Sequence, residues 1–193
     1  NLAEVESRIR LIEGDLRDSA TVASAVAGSE VVYHQAALAA VARSVADPRE
    51  VTEVNVMGTL NVLVAARDAR ARRVVFASSS SVYGDTPTLP KVESMPVSPR
   101  SPYAASKVAG EAYMGAFQAA YGLETVSLRY FNVYGPRQSA QSRYAAVVPL
   151  FVEAMAEGRQ PAIYGDGGQT RDFTWVGDLV EALILAATAP GAI

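Results

Sequence analysis

Short runs of mostly apolar, β-branched residues punctuate the chain at Arg10-Leu11-Ile12, Glu30-Val31-Val32-Tyr33-His34, Arg73-Val74-Val75-Phe76-Ala77 and Thr125-Val126-Ser127-Leu128-Arg129. A continuous apolar run, rather than strict alternation, predicts a strand covered on both faces. Longer stretches with helical spacing lie between these runs. One follows Asp18 and passes through Val22 and Val26 to Gly28. A second runs from Asp47-Pro48 to Ala69, with Val51, Val54, Gly58, Val62 and Ala66 along one side. A third opens at Ser101-Pro102 and ends near Tyr121-Gly122. Serine at the N-cap, proline in the first turn and glycine beyond the end form a start and stop signature. Strand and helix alternate, which predicts an α/β fold with a doubly wound parallel sheet.

The texture changes after Tyr134. Residues 135–143 read as a polar loop, a helix is expected from about Ala145 to Glu157, and a Gly-rich turn follows at Tyr164-Gly165-Asp166-Gly167-Gly168. A last helix is expected to begin near Gly177-Asp178. The organisation expected is a sheet part over residues 1–135 and a partial substrate-covering part over 136–193.

Composition narrows the chemistry. The 193 residues hold no cysteine and one histidine, His34. That excludes a disulfide framework, a thiolate nucleophile and a Cys- or multi-His-ligated metal, so no metal site is expected. A formal net charge of −3 offers no global basic field for nucleic acid. No apolar run approaches the ~20 residues of a bilayer span, and the expected location is the cytoplasm. Arg67, Arg70, Arg72 and Arg73 read as a solvated helix end whose cations suit the C-terminal dipole.

Tyr103 and Lys107 stand four apart, on one face of the third helix. A cation beside a phenol favours phenolate and lowers its pKa. Such a tyrosine can exchange a proton with a substrate hydroxyl while a hydride leaves the same carbon. The strand ahead of it ends in Ser78-Ser79-Ser80-Ser81-Val82-Tyr83-Gly84. Hydroxyls at the carboxyl end of a parallel strand sit where open α/β sheets bind ligands. His34 alone, at the end of a buried strand, reads as structural.

With these motifs in order, the sequence resembles the extended short-chain dehydrogenase/reductase family, in particular its nucleotide-sugar 4-epimerases. The resemblance runs through Gly14-Asp15-Leu16-Arg17-Asp18, His34-Gln35-Ala36-Ala37, Asn55-Val56-Met57-Gly58-Thr59 and the serine strand. It continues through Tyr103 and Lys107 as Y-x-x-x-K, Arg129-Tyr130-Phe131-Asn132-Val133-Tyr134-Gly135-Pro136, and Tyr164-Gly165-Asp166-Gly167 with Arg171-Asp172-Phe173. It implies a Rossmann-like fold and NAD as cofactor. Tyr103 would be general base and acid at the sugar C4 hydroxyl. Lys107 would lower its pKa and hold the nicotinamide ribose, and Ser79 would bond O4 with Ser80 as helper. Asp15, Leu16, Ala36, Ala37, Asn55, Ser78 and Tyr130, with Tyr103 and Lys107, would line the cofactor. Asn132 and Arg171 would contact the substrate diphosphate, with Ala146 and Val147 near the uracil. The reaction implied is C4 epimerisation of a UDP-hexose or UDP-N-acetylhexosamine through a 4-keto sugar. Tyr144-Ala145-Ala146-Val147-Val148-Pro149 and Lys91-Val92-Glu93 most resemble epimerases that accept N-acetylated UDP-hexosamines.

Family members that also eliminate water or decarboxylate carry an acidic residue just after the Ser/Thr of the serine strand. Ser80 and Ser81 stand there, which favours epimerisation over dehydration. The family opens on a strand and a G-x-x-G-x-x-G turn that receives the cofactor pyrophosphate. Neither occurs here, so roughly ~60 residues of a usual member are expected to precede Asn1, with a C-terminal part also absent. A chain of only this length should bind the cofactor poorly. The alternatives are another NAD(P)-dependent nucleotide-sugar dehydratase or reductase, and a non-catalytic Rossmann-like module. The resemblance also implies a homodimer through helices over 49–69 and 102–121, which Val51, Val62, Ala109, Met114 and Phe117 permit, although the ordinary role of such residues is packing on their own sheet.

Overall fold

The computed structural model describes residues 2–140 and 146–190. The first helix, α1 (Ser19–Val26), starts where Asp18 accepts the Ala20 and Thr21 N–H groups at 3.0 and 3.3 Å. Val22 and Val26 face inward from it, and Gly28, at φ +76°, turns the chain away. Strand β1 (Val31–His34) follows. Two short helices, α2 (Val41–Ala46) and α3 (Pro48–Thr52), lead through a π-helical turn at Glu53–Met57 into α4 (Gly58–Asp68). Strand β2 (Arg73–Ser79) ends in a 3-10 turn at Ser80–Tyr83. Helix α5 (Pro102–Tyr121) has the expected caps: Ser101 accepts the Ala104 N–H at 3.1 Å, and Gly122 is left-handed at φ +69°.

Strand β3 (Glu124–Tyr130) completes a three-stranded parallel sheet in the order β1-β2-β3. A second, two-stranded parallel sheet pairs β4 (Asn132–Tyr134) with β5 (Phe173–Trp175). Helices α6 (Val147–Ala156) and α7 (Val176–Thr188) complete the chain described. One face of the main sheet packs Val74 and Phe76 against Val22, Val26, Leu63, Met114 and Phe117 of α1, α4 and α5. The other packs Val75 against Ala186 and Ala187 of α7. The doubly wound parallel arrangement is the one the sequence predicts.

Several details differ. Arg10-Leu11-Ile12 forms no strand. A strand exists through its ladder, and no backbone partner for these residues occurs among the described residues; Leu11 is left exposed. The basic cluster is a solvated end of α4 only in part: Arg67 lies in its last turn and Arg70 is exposed just beyond it, but Arg72 and Arg73 are not part of that end. Arg73 is buried, holds Glu124 with contacts of 2.7 and 2.8 Å, and donates to the Ala186 and Ala189 carbonyls at 2.8 and 3.0 Å. Arg72 donates to the Ala187 carbonyl at 3.0 Å. These cations do suit a C-terminal dipole, but it is that of α7. Of the residues offered to a dimer interface, Val51, Val62, Met114 and Phe117 are buried in this chain's own interior. The second sheet joins one strand from each side of residue 135, and α7 returns to cover the first sheet. Ala145, where a helix start was expected, lies outside the described residues together with Tyr144.

Candidate active site

The N-cap at Ser101 places Tyr103 in the first turn of α5 and Lys107 one turn further on, both facing the end of β2. Gly110 lets the helix come close: a Cβ there would stand 2.5 Å from Phe76 Cζ. The Lys107 Nζ donates to the Ala77 carbonyl at 2.7 Å and stands 4.8 Å from the Phe76 ring centre and 5.8 Å from that of Tyr103. Burial lowers the Lys107 pKa to about 8.

Tyr103 and Ser79 line the same cleft, and the Ser79 hydroxyl favours the phenolate. The Ser79 Oγ in turn accepts the Ser81 N–H at 3.2 Å and meets the Ser81 hydroxyl at 2.9 Å. With Ser81 donating, Ser79 keeps its own proton for the Tyr103 oxygen. Burial pushes the Tyr103 phenol above its ordinary pKa, and the Ser79 hydroxyl only partly offsets this. This runs against the lowering expected from Lys107. The ammonium is drawn to the Ala77 carbonyl, while desolvation penalises the phenolate.

A cleft of about 250 Å³ opens over these groups, lined by Gln35, Ala37, Ala39, Ala77, Ser78, Ser79, Tyr103, Lys107, Tyr130, Phe131 and Val133. Among the described residues no carboxylate lines it. The Tyr130 hydroxyl donates to Gln35 Oε1 at 2.8 Å, joining β3 to the loop after β1. A second cleft of about 240 Å³ shares Val133 and gathers Asn132, Ala146, Val147 and Arg171. There the Asn132 Nδ2 donates to the Asp172 carbonyl at 3.0 Å, beside the exposed Arg171. The two clefts therefore hold separately the residues expected for proton transfer and those expected for the diphosphate and base. A larger, mostly apolar hollow of about 660 Å³ between α6 and residues 162–173 shares Val147 and Arg171 but no proton-transfer group.

Other expected residues lie outside the cleft walls. Asp15 is tied to Arg17 by contacts down to 2.5 Å, and this hydrogen bonding lowers its pKa to about 2. Leu16 packs under Gly58, where a Cβ would stand 2.7 Å from Leu16 Cβ. Its carbonyl accepts from Asn61 at 2.8 Å. Ala36 is exposed beside the cleft. Ser80 sits in the 3-10 turn, and Ser81 is the residue that bonds Ser79.

Asn55 is buried in the π-helical turn. Its Oδ1 accepts the Leu38 N–H at 2.8 Å, while its Nδ2 donates to the Leu38 carbonyl at 3.2 Å and to Ser106 Oγ at 3.0 Å. It clamps the loop after β1 to α5. His34 is likewise buried, with Nε2 2.9 Å from Thr59 Oγ1. The Thr59 proton goes to the Asn55 carbonyl at 2.5 Å, so His34 is the donor to Thr59. Burial, then the Lys107 charge, lowers the His34 pKa to about 4. Sequence reasoning missed Gln35, Ser81, Ser106 and Glu111; the unbroken serine run was the available signal for Ser81.

A parallel α/β sheet with a Tyr/Lys/Ser group at the carboxyl end of a central strand defines a class of nicotinamide-dependent proteins. The chain belongs to the NAD dependent epimerase/dehydratase family, which matches residues 1–193. It is 44% identical to the UDP-glucose 4-epimerase of Mycolicibacterium smegmatis, over 98% of this chain and 61% of that protein. It superposes with TM-score 0.87 on the UDP-N-acetylglucosamine 4-epimerase of Methanobrevibacter ruminantium, at 45% identity over 91% of this chain and 56% of that one. The Thermus thermophilus UDP-glucose 4-epimerase, solved with NAD, gives TM-score 0.89 at 40% identity, covering 98% of this chain and 64% of that one. The same family holds dTDP-glucose 4,6-dehydratases; that of Streptomyces niveus is 35% identical over 96% of this chain and 54% of its own length. The chain thus spans a little over half the length of these relatives.

The cleft fits the ribose–nicotinamide end of NAD. Lys107 spends one of its three N–H donors on Ala77, leaving two for hydroxyls. Ala37, Ala39 and Ala77 give a flat wall with little side-chain bulk.

Proposed function

We propose that this chain carries the proton-transfer site of an NAD-dependent 4-epimerase acting on a UDP-hexose or UDP-N-acetylhexosamine. The observation that carries the reading is the meeting of Tyr103, Ser79 and Lys107 in a cleft without a carboxylate. Dehydration needs an acid to protonate a leaving hydroxyl, and the described residues of the cleft offer no carboxylic acid. Hydroxyl oxidation and its reversal at one carbon need a single proton acceptor and donor.

Tyr103, as phenolate, takes the proton of the C4 hydroxyl and later returns it. Ser79 donates to that oxygen, oriented by Ser81. Lys107 contributes its charge from beneath the phenol and offers two N–H donors to ribose hydroxyls. NAD, when bound, supplies acceptance and return of the C4 hydride. Arg171 has the planar fork suited to phosphate oxygens, and with Asn132 it would hold the diphosphate, with Ala146 and Val147 beside the base. The cytoplasm is the location this reading implies. A homodimer through 49–69 and 102–121 would have to use outward side chains such as Met57, Ala112 and Ala116. A monomer at micromolar concentration by sedimentation would refute the pairing.

The test is incubation of the intact protein with NAD and UDP-glucose or UDP-N-acetylglucosamine separately, followed by proton NMR. The C4 epimer should appear with no net build-up of reduced cofactor. Loss of water from the sugar would establish a dehydratase, and net consumption of reduced cofactor a reductase.

A further inference from the structure

Three consecutive residues at the end of β2 meet one face of α5. Lys107 takes the Ala77 carbonyl, Tyr103 faces Ser79 across the cleft, and Glu111 takes Ser78: the Ser78 Oγ donates to Glu111 Oε1 at 2.5 Å. Tyr103, Lys107 and Glu111 stand at i, i+4 and i+8, in one row along the helix.

The sheet register sets Ser78 beside Arg129 of β3. Arg129 reaches the same carboxylate with Nε at 2.9 Å and Nη2 at 2.8 Å. Its guanidinium also lies over the Tyr83 ring, 4.8 Å from the centre. Tyr83 belongs to the turn that follows Ser79. Ser79 is therefore flanked by two residues held through one ion pair: Ser78 by Glu111, and Tyr83 by the Arg129 that Glu111 fixes. Burial works against ionisation of Glu111. The hydrogen bonds from Arg129 and Ser78 outweigh it and leave the carboxyl below its usual pKa, so the pair is charged at neutral pH.

We propose that Glu111 is a positioning residue that holds the Ser79 hydroxyl against the Tyr103 oxygen. It touches neither of the two clefts where substrate and cofactor would lie. It acts on the reaction through the strand end, and the proposal rests on the function proposed above. Bidentate pairing is rigid in a way that a single bond is not, and a misplacement of about 1 Å in a reacting group can cost about 100-fold in rate.

The experiment is Glu111→Gln in the intact protein. Glutamine keeps the volume and an acceptor for Ser78, but removes the charge and the fork to Arg129. The direct readout is the ionisation of Tyr103 itself, taken as tyrosinate absorbance against pH after subtraction of the Tyr103→Phe spectrum in each background. The cleft holds Lys107 and Tyr130 as its other titratable groups. Arg43 and Glu50, on α2 and α3 beside α5, neutralise each other at 2.9 Å. Loosening Ser79 removes a donor to phenolate, so the Tyr103 titration should move up by about half a pH unit or more.

With substrate, kcat should fall about tenfold while KM changes less than about threefold, and the Tyr103 limb of the pH profile should move up with the titration. Adding Arg129→Gln to Glu111→Gln should cost little more than Glu111→Gln alone, because both remove the same ion pair. An unmoved Tyr103 titration, with only a lower Tm, would make Glu111 merely structural and overturn the proposal. So would fully additive losses in the double variant. If the unmodified protein interconverts no sugar, the proposed function fails, while the Tyr103 titration still decides the role of Glu111.

Discussion

His34 is the only histidine, which lets one side chain be read from a whole-protein pH titration. It is buried and serves as a donor to Thr59, and its pKa in the folded protein falls to about 4, chiefly through burial. An unfolded histidine titrates near ~6.5. The neutral form is therefore the one the fold accepts, and its stabilisation is fully present above about pH 6.5. As the pH drops, the unfolded chain takes up the proton first. The loss should be about 2 kcal/mol by pH 5 and about 3 kcal/mol by pH 4. Asp15, Asp18 and Glu111, whose pKa values are lowered, lose their contributions further to the acid side. His34→Gln places an amide donor within reach of Thr59 but cannot take up a proton. Urea unfolding followed by circular dichroism at several pH values measures both proteins. The variant should lack the acid-side slope between pH 6.5 and 4 while staying within about 1–2 kcal/mol of the parent at pH 7. Parallel curves for the two proteins over that range would refute the reasoning.

Lys107, lowered to about 8 by burial, gives the opposite limb: the unfolded chain holds its proton longer, so stability should rise with pH between about 8 and 10.5, and Lys107→Met should abolish that rise in the same assay. Gly110→Ala would gain about 1 kcal/mol of helix propensity but drives a methyl against Phe76, an overpacking cost of about 1–3 kcal/mol. The net effect should be destabilising, and a more stable variant in thermal unfolding would contradict the close approach of α5 to β2. Arg73→Ala removes the ion pair with Glu124 and two bonds to the end of α7. Because Glu124 can still reach water, the loss should be about 2–3 kcal/mol by guanidinium titration.

The layered fold was legible wherever one segment alone carries the signal. Capping chemistry at Asp18 and Ser101 and the glycines at 28 and 122 fall where the elements begin and end. Arg10-Leu11-Ile12 shows the limit, since an apolar run records a tendency that only a neighbouring strand can satisfy. The Tyr103, Lys107 and Ser79 group was readable because helical spacing and the strand end are local patterns. Glu111 and the true place of Asn55 were not, because each depends on contacts across β2, β3, α5 and the loop after β1. Arg73 was misplaced for the same reason: its partners, Ala186 and Ala189, are more than a hundred residues away.

The central claim is that the Tyr103 phenol moves the C4 proton. The most direct measurement is the rate at which the intact protein with NAD interconverts UDP-glucose or UDP-N-acetylglucosamine with its C4 epimer, compared with Tyr103→Phe under the same conditions. Loss of a positioned general acid and base should slow interconversion by about 100-fold to 10,000-fold with KM little changed. A Tyr103→Phe protein that epimerises at close to the parent rate would contradict the account.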